Sequence, residues 1–107
     1  MKVLKLKDMK SGWFVGNFEP AAFKTEDFEV NYRVHKAGEE WDYHYHTTVT
    51  EINLLIKGKM TIQNTTLVSG DIFIIEPFEV TDPEFLEDCA VVCVKTPSAN
   101  DKIVFKT

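Results

Sequence analysis

Two histidines and a glutamate near the middle of the chain have the residue types and spacing of a metal site. His44 and His46 are two residues apart, within a segment of alternating aromatic and polar residues. On a β-strand, side chains two residues apart project from the same face. Two imidazoles side by side suit a single transition-metal ion. The pair therefore predicts a metal site whose remaining ligands come from other positions.

Glu51 is the carboxylate that would complete this site, but its spacing poses a problem. It follows His46 by five residues, which places it on the opposite face of a continuous strand. It joins the histidines only if the chain turns within residues 47–50 and Glu51 begins the neighbouring strand. That segment, Thr-Thr-Val-Thr, is a poor turn former. With the turn, the three residues form a two-histidine, one-carboxylate site, typical of iron, manganese, nickel or zinc centres with open positions.

The segments that must position these residues are short and of β type. Roughly nine strands, turn signals every 8 to 12 residues and the lack of helical periodicity predict an all-β sandwich or barrel. The only predicted helical turns lie around residues 21–23 and 83–86. The clearest predicted strands cover residues 3–7, 13–18, 28–35, 41–46, 51–56, 60–63, 72–75, 90–95 and 103–105.

Length and charge limit the classes of function. The 107 residues have the size of one domain, predicted to cover residues 1–107. Twelve basic and seventeen acidic residues give a net charge of −5, which repels phosphate backbones and anionic lipid. We therefore expect neither nucleic-acid nor membrane partners. The four lysines among the first ten residues are expected to decorate an exposed edge strand.

The location expected from the sequence is the cytoplasm. The first ten residues alternate charged and apolar types and contain no apolar core of a secretory signal. The longest uninterrupted apolar stretch, residues 90–94, is far too short to span a membrane. Cys89 and Cys93 lie four apart on an apparent strand, too far apart to bond each other, and are expected to be reduced and partly buried.

The region around the two histidines resembles the first motif of the cupins. That motif runs glycine, five residues, His-x-His, three or four residues, glutamate, six residues, glycine, and this chain matches it at Gly38, His44, His46, Glu51 and Gly58. The resemblance implies a small jelly-roll or double-stranded β-barrel of antiparallel strands. It also implies that His44 and His46 end one strand, that Glu51 opens the next, and that a divalent transition metal lies in the barrel mouth.

The chain departs from the second cupin motif, in which a histidine usually supplies the fourth ligand. Gly70 opens the motif well, but Thr81 stands where that histidine is expected. Three hypotheses follow. A carboxylate supplies an oxygen ligand, the metal is held by three ligands and water, or the site binds metal poorly and has become a plain pocket. The candidate carboxylates are Asp82, Glu79 and Glu76.

Other residues that could do chemistry are assigned structural roles. His35 lies on the polar face of its strand beside Arg33, and we expect it at the surface or an interface rather than as a ligand. The two cysteines are expected to be core residues. An aromatic group is expected to form core or dimer contacts, with a stacking platform for a carbohydrate as the alternative; its members are Trp13, Phe14, Phe18 and Trp41.

Three functions remain open from the sequence. The first is a metal-dependent enzyme acting on a small molecule, such as a sugar or sugar derivative, with open coordination positions that polarise an oxygen. The second is a non-catalytic module that binds such a ligand, and the third is an accessory or structural protein. We favour a metal-binding cupin with a small-molecule ligand. A homodimer is expected, because pairing covers edge strands and an apolar outer face, with residues 3–7 as the candidate strand.

Overall fold

The computed structural model describes residues 1–105, which form eleven β-strands and one short 3-10 helix, Leu6–Asp8. The strands are β1 Trp13–Gly16, β2 Phe23–Lys24, β3 Glu29–His35, β4 Tyr43–His46, β5 Thr50–Lys57, β6 Lys59–Ile62, β7 Thr65–Val68, β8 Ile72–Ile75, β9 Glu84–Phe85, β10 Cys89–Thr96 and β11 Lys102–Phe105. No helix among these residues is long and apolar enough to cross a membrane.

The strands form one large sheet and two small ones. The large sheet has the order β2-β1-β3-β10-β5-β8, in which only the β1–β2 pair is parallel. A three-stranded sheet has the order β7-β6-β9, and β4 pairs with β11 in a two-stranded sheet. An isolated bridge between His44 and Thr81 ties β4 to the segment that precedes β9. The all-β jelly-roll predicted from the sequence is confirmed.

The hydrophobic core lies between the large sheet and the three-stranded sheet. Leu55 on β5 is fully buried, and Met60 on β6 is 2% exposed. Trp41, Phe73 and Ile75 pack against this core from its edge. The remaining core residues are Ile62, Leu67, Phe85, Cys89 and Val91. Several of these core residues, among them Met60, Ile62 and Phe85, also line a cavity between the layers.

Strand β3 has a polar inner face and an apolar outer face. On β3, the buried side chains are Glu29, Asn31 and His35, whereas Val34 is 58% exposed. The alternation of polar and apolar residues predicted the strand correctly. The expectation that His35 lies at the surface is wrong, because the polar side of this strand faces an interior cavity, where His35 is 7% exposed.

Three local predictions are also wrong. Residues 3–7 form no strand; their apolar side chains are exposed, and a 3-10 turn begins at Leu6. This segment pairs with no other strand, so alternation alone does not make it one. The helical turns expected at residues 21–23 and 83–86 are instead the short strands β2 and β9, because each lies against an open edge of β1 or β6.

Gly58, the last residue of the matched motif, is a glycine for a steric reason. Its φ is +103°, and a Cβ placed there would lie 2.4 Å from the backbone oxygen of Asp88. Only glycine combines this left-handed conformation with so close an approach. The turn holds β5 and β6 in adjacent layers. The motif glycine therefore helps to place the strand that carries Glu51.

Candidate metal centre

His44 and His46 project from the same face of β4 into the interior, as their spacing predicted. They are 8% and 5% exposed, and their ring centroids lie 5.8 Å apart. Tyr43 and Tyr45 alternate with them and pack against Phe105 of β11 on the other side of the strand. The inner face of β4 therefore carries the two imidazoles, and its outer face carries the phenol rings of the two tyrosines.

The chain does turn between His46 and Glu51, and a distant carboxylate holds the turn. Asp101, just before β11, accepts the backbone N–H groups of Thr48 and Val49 at 2.7 and 2.9 Å. Its other oxygen lies 2.7 Å from Nδ1 of His46. These bonds replace the turn chemistry that residues 47–50 lack, and β5 then begins at Thr50 with Glu51 facing inward.

The three predicted ligands meet at one point. A nitrogen of each histidine and a carboxylate oxygen of Glu51 all lie within 4.8 Å of one another. Nε2 of His46 is 2.8 Å from Oε2 of Glu51, whose side chain is 15% exposed. Two imidazoles and one carboxylate are a donor set that binds divalent transition metals. The residues present therefore fit the metal that the cupin motif implies.

His46 lies between two carboxylates. Its hydrogen bond with Glu51 raises the pKa of His46, and the bond with Asp101 adds to this against the opposing effect of burial. Burial by itself raises the pKa of Glu51, but the hydrogen bond and the charge of His46 lower it overall. Burial likewise opposes ionisation of Asp101, yet the bonds from His46, Thr48 and Val49 lower its pKa to about 2. Because both ring nitrogens face carboxylate oxygens, these contacts favour the protonated form of His46.

His44 is set up differently. Burial lowers its pKa, so the ring is neutral near pH 7. Its Nδ1 lies 3.3 Å from the backbone oxygen of Asp42, and its Nε2 lies 3.2 Å from the hydroxyl of Thr81. The tautomer that satisfies both contacts donates from Nδ1 and accepts at Nε2. That tautomer presents the lone pair that a metal ligand requires.

The carboxylates considered as a fourth ligand lie outside this group. Asp82 follows Thr81, but its Oδ1 accepts the backbone N–H of Gln63 at 3.3 Å. Glu79 accepts the backbone N–H of Glu76 at 2.6 Å, and the Glu76 carboxylate lies 3.3 Å from the hydroxyl of Thr50. The structure thus brings together His44, His46 and Glu51, with the hydroxyl of Thr81 at the position of the missing histidine.

The histidines and Glu51 lie in the wall of a cavity of about 180 Å³ between the two layers. Asn31, Asn53 and Cys93 form an inward row across three adjacent strands. Burial raises the pKa of the Cys93 thiol, which lies 3.5 Å from Oε1 of Glu51. Both cysteines are buried and free, as expected. The apolar part of the wall comes from Met60, Ile62, Phe73, Ile75 and Phe85.

His35 is the centre of a second group of interacting side chains in the wall of the same cavity. Nδ1 of His35 is 2.6 Å from Oε2 of Glu39, which also accepts the indole N–H of Trp41 at 2.7 Å. The His35 ring stacks on Phe85 with centroids 4.2 Å apart. Interaction with Trp41 and His35 lowers the pKa of Glu39 against the opposing effect of burial. His35 is not part of the metal-ligand group and instead fixes the wall beside it.

Sequence reasoning missed several residues of this site. Asp101 was missed because it lies in an irregular segment 55 residues from His46, with no pattern to connect them. Lys102 and Lys95 stand directly opposite His46 and Glu51 on neighbouring strands, but those pairings depend on the strand order. Trp13 and Trp41 line the cavity, so the expectation of core or dimer contacts is incomplete.

Comparison with known proteins supports the fold. No family model and no curated protein matches the sequence significantly. A conserved protein with a double-stranded β-helix domain from Klebsiella pneumoniae has a similar structure, with 23% identity, a TM-score of 0.70, and coverage of 78% of this chain and 74% of that one. KdgF from Halomonas sp. shows 20% identity and a TM-score of 0.63 over 70% of this chain and 74% of that one.

A third similar structure is larger. DMSP lyase DddQ from Ruegeria pomeroyi shows 13% identity and a TM-score of 0.70; the match covers 94% of this chain and 55% of that one. At these identities the likeness concerns the fold alone. It shows that this chain has the cupin-type fold, a double-stranded β-helix.

Proposed function

We propose that this protein binds a divalent transition metal through His44, His46 and Glu51 and takes a small molecule into the cavity beside it. One observation carries the proposal: three ligand atoms of suitable chemistry lie within 4.8 Å of one another in the wall of a cavity. Iron, manganese, nickel and zinc all accept this donor set. Such a metal supplies open positions that polarise an oxygen of the bound molecule. The ligand proposed is a small metabolite such as a sugar derivative.

The chain's own residues prepare this site. Asp101 directs Nε2 of His46 toward Glu51, and the contact of Nδ1 of His44 with the backbone oxygen of Asp42 leaves Nε2 of His44 as its ligating nitrogen. The apolar wall excludes water from one side of the cavity. Orientation of ligating imidazoles by such hydrogen bonds raises metal affinity.

The alternative function is ligand binding without catalysis. Among the described residues that line the cavity, Glu51 is the sole carboxylate, and it already contacts His46. A reaction that needs a separate carboxylate as general acid or base would lack one in this wall. A thermal-shift screen with sugars and small acids, followed by product analysis, separates the two functions: stabilisation without turnover supports binding alone.

Elemental analysis tests the metal proposal directly. After reconstitution, the wild-type protein is expected to hold one equivalent of metal and His44→Ala none, because two remaining ligands cannot hold the ion through dialysis. Asp82→Asn is the matched control; its carboxylate contacts Gln63 rather than the site, so it should keep the full equivalent. Absence of metal from the reconstituted wild type, or loss of metal in Asp82→Asn, contradicts the proposed ligand set.

The proposed assembly is a homodimer formed through the outer face of the large sheet. On this face, apolar side chains of β5 and β8 lie opposite each other, as in the pairs Ile52–Ile74 and Leu54–Ile72. Six apolar residues of this face are each more than a third exposed: Val34, Ile52, Leu54, Ile56, Ile72 and Ile74. A contiguous apolar patch of this kind marks an interaction surface. Two such faces cover each other by a two-fold axis.

Leu54→Glu is expected to convert the dimer to a monomer, because it buries two charges at the centre of the interface. Light scattering should give about twice the 12.3 kDa chain mass for the wild type and the single mass for the variant. Val68→Glu, on the three-stranded sheet and 48% exposed, is the control and should stay dimeric. A monomeric wild type at micromolar concentration contradicts this assembly.

The proposed location is the cytoplasm. The two buried thiols, Cys89 and Cys93, support this, because reduced cysteines persist in a reducing compartment.

A further inference from the structure

The cavity collects positive charge although the chain as a whole carries a net charge of −5. Arg33, Lys95 and Lys102 all line it, and among the described lining residues Glu51 is the sole carboxylate. Because Glu51 faces His46, its charge is engaged by that ring. An acidic protein that concentrates cations in one cavity has an electrostatic preference for anions there.

Two of these cations gather on a single indole ring. The guanidinium carbon of Arg33 lies 5.4 Å from the centroid of Trp41, and Nζ of Lys102 lies 4.5 Å from it. Glu39 holds the ring in place by accepting its N–H. Neither cation forms an ion pair with a carboxylate among residues 1–105. Two like charges on one ring repel each other, and an anion bound beside them relieves this repulsion.

Lys95 is already neutralised and serves as the internal comparison. Its Nζ lies 3.8 Å from Oε1 of Glu29, and its side chain is 11% exposed. The other oxygen of Glu29 accepts the hydroxyl of Ser98 at 2.6 Å. Lys95 also faces Glu51 across the β5–β10 pair and lies 5.0 Å from the ring of Trp13. The charges left without a partner carboxylate are therefore those of Arg33 and Lys102.

We infer that the molecule taken into this cavity is a small organic carboxylate, bound by Arg33 and Lys102 against Trp41. This inference rests on the proposed function, since it names the class of ligand for the same cavity. The planar guanidinium matches a carboxylate in two parallel hydrogen bonds, and Lys102 adds a point charge. The apolar wall of Met60, Phe73 and Ile75 suits a carbon skeleton rather than a bare inorganic anion.

Tryptophan fluorescence provides a direct test, because both tryptophans of the chain line the cavity. The probes are propionate, lactate and D-glucuronate, each compared with its own amide, together with inorganic phosphate. Each amide keeps the shape of its acid and lacks the charge. We expect a saturable change with at least one acid at millimolar concentration, at least about tenfold weaker for the matching amide, since a charged hydrogen bond is lost. Trp13→Phe leaves the Trp41 signal alone.

Variants assign the effect to the two cations. Arg33→Gln is expected to weaken binding of the acid about tenfold or more, and Lys102→Gln by a smaller factor, with the affinity for the amide unchanged in both. Lys57→Gln, an exposed lysine on β5, is the matched control and should bind as the wild type does. Thermal melts verify that each variant is folded. Equal affinity for acids and amides, no saturable change with any acid, or tighter binding of phosphate than of every acid overturns the inference.

The measurement is made on metal-loaded protein, on metal-free protein and on His44→Ala. If the wild type binds no metal on reconstitution but prefers acids to amides with and without added metal, the carboxylate inference is supported and the metal proposal is refuted. One equivalent of metal with no preference for acids refutes the inference and leaves the metal proposal standing.

Discussion

Asp101→Asn is expected to weaken metal binding about 10- to 100-fold, the usual cost of losing a carboxylate that orients a ligating histidine. Asp101 accepts a bond from Nδ1 of His46 at 2.7 Å and directs Nε2 toward Glu51. The amide of asparagine carries no charge and retains only one acceptor oxygen. A chelator competition on the wild type and the variant measures the ratio of the two dissociation constants.

The same variant should lower the free energy of unfolding by about 2 kcal/mol, because the carboxylate accepts three hydrogen bonds in a mostly buried position. Two of them hold the backbone of Thr48 and Val49 in the turn between β4 and β5. Loss of these bonds loosens the turn that brings Glu51 to the histidines. Urea unfolding of the metal-free proteins measures this difference apart from any effect of the metal.

The stability difference should depend on pH in a defined direction. The pKa of Asp101 is about 2 in the folded protein, below its ordinary value of 3.8. A depressed carboxylate pKa stabilises the folded state above the unfolded pKa, and this contribution is lost as the pH falls through the folded pKa. The pKa of His46 is raised above 6.5, so its pairing with Asp101 persists below that folded pKa and fades as the pH rises through it. The gap between wild type and variant is therefore widest between about pH 4 and the titration of His46.

Asp71→Asn is the matched control for this prediction. Asp71 also accepts a backbone N–H, that of Val68 at 2.8 Å, but it lies outside the metal-ligand group. The control variant should lose some stability and bind metal as the wild type does. Equal metal affinities for wild type and Asp101→Asn would show that Asp101 does not orient His46.

Thr81→His is expected to tighten metal binding at least tenfold, about 1.4 kcal/mol, by adding a fourth ligand. Thr81 stands where the second cupin motif has its histidine, and its hydroxyl lies 3.2 Å from Nε2 of His44. Backbone bonds of 2.9 and 3.2 Å hold the two residues opposite each other. A histidine at position 81 would thus place its ring beside the ligand atoms, with the cavity as space for it.

The cost of this substitution is separable from its benefit. Thr81 is only 2% exposed, so a larger side chain should destabilise the metal-free protein by roughly 1–3 kcal/mol. Bound metal should more than restore this loss, which a melt with and without metal measures. Thr81→Val keeps the size and removes the hydroxyl; it should bind metal about as well as the wild type. An unchanged affinity in folded Thr81→His would mean that position 81 does not face the ion.

The turn at residues 47–50 is stabilised by tertiary contacts although the local sequence does not favour a turn. Local propensity argued against a turn there, and the cupin spacing from Gly38 to Gly58 nevertheless required one. The structure shows that both statements are correct. The turn exists because Asp101, more than 50 residues away, accepts the N–H groups that local side chains do not satisfy.

The strand Glu29–His35 shows a different limit. Alternation with period two identifies a strand and its two faces, but it does not say which face is inside. The usual assumption places the apolar face inside, which put His35 at the surface. In this chain the polar face lines a cavity and the apolar face, with Val34 58% exposed, points outward. That choice depends on what the opposite layer offers, which no single strand encodes.

The sequence by itself determined the β-rich jelly-roll and the residue types of the metal site, because alternation sets strand faces and the spacing of His44, His46 and Glu51 is local. The tertiary structure alone decided that Asp101 orients His46, that Thr81 occupies the place of the fourth ligand and that Asp82 lies outside the group. It also gathered Arg33 and Lys102 on Trp41. The physical reason is that these contacts join segments far apart in the chain, whose meeting depends on strand order and register.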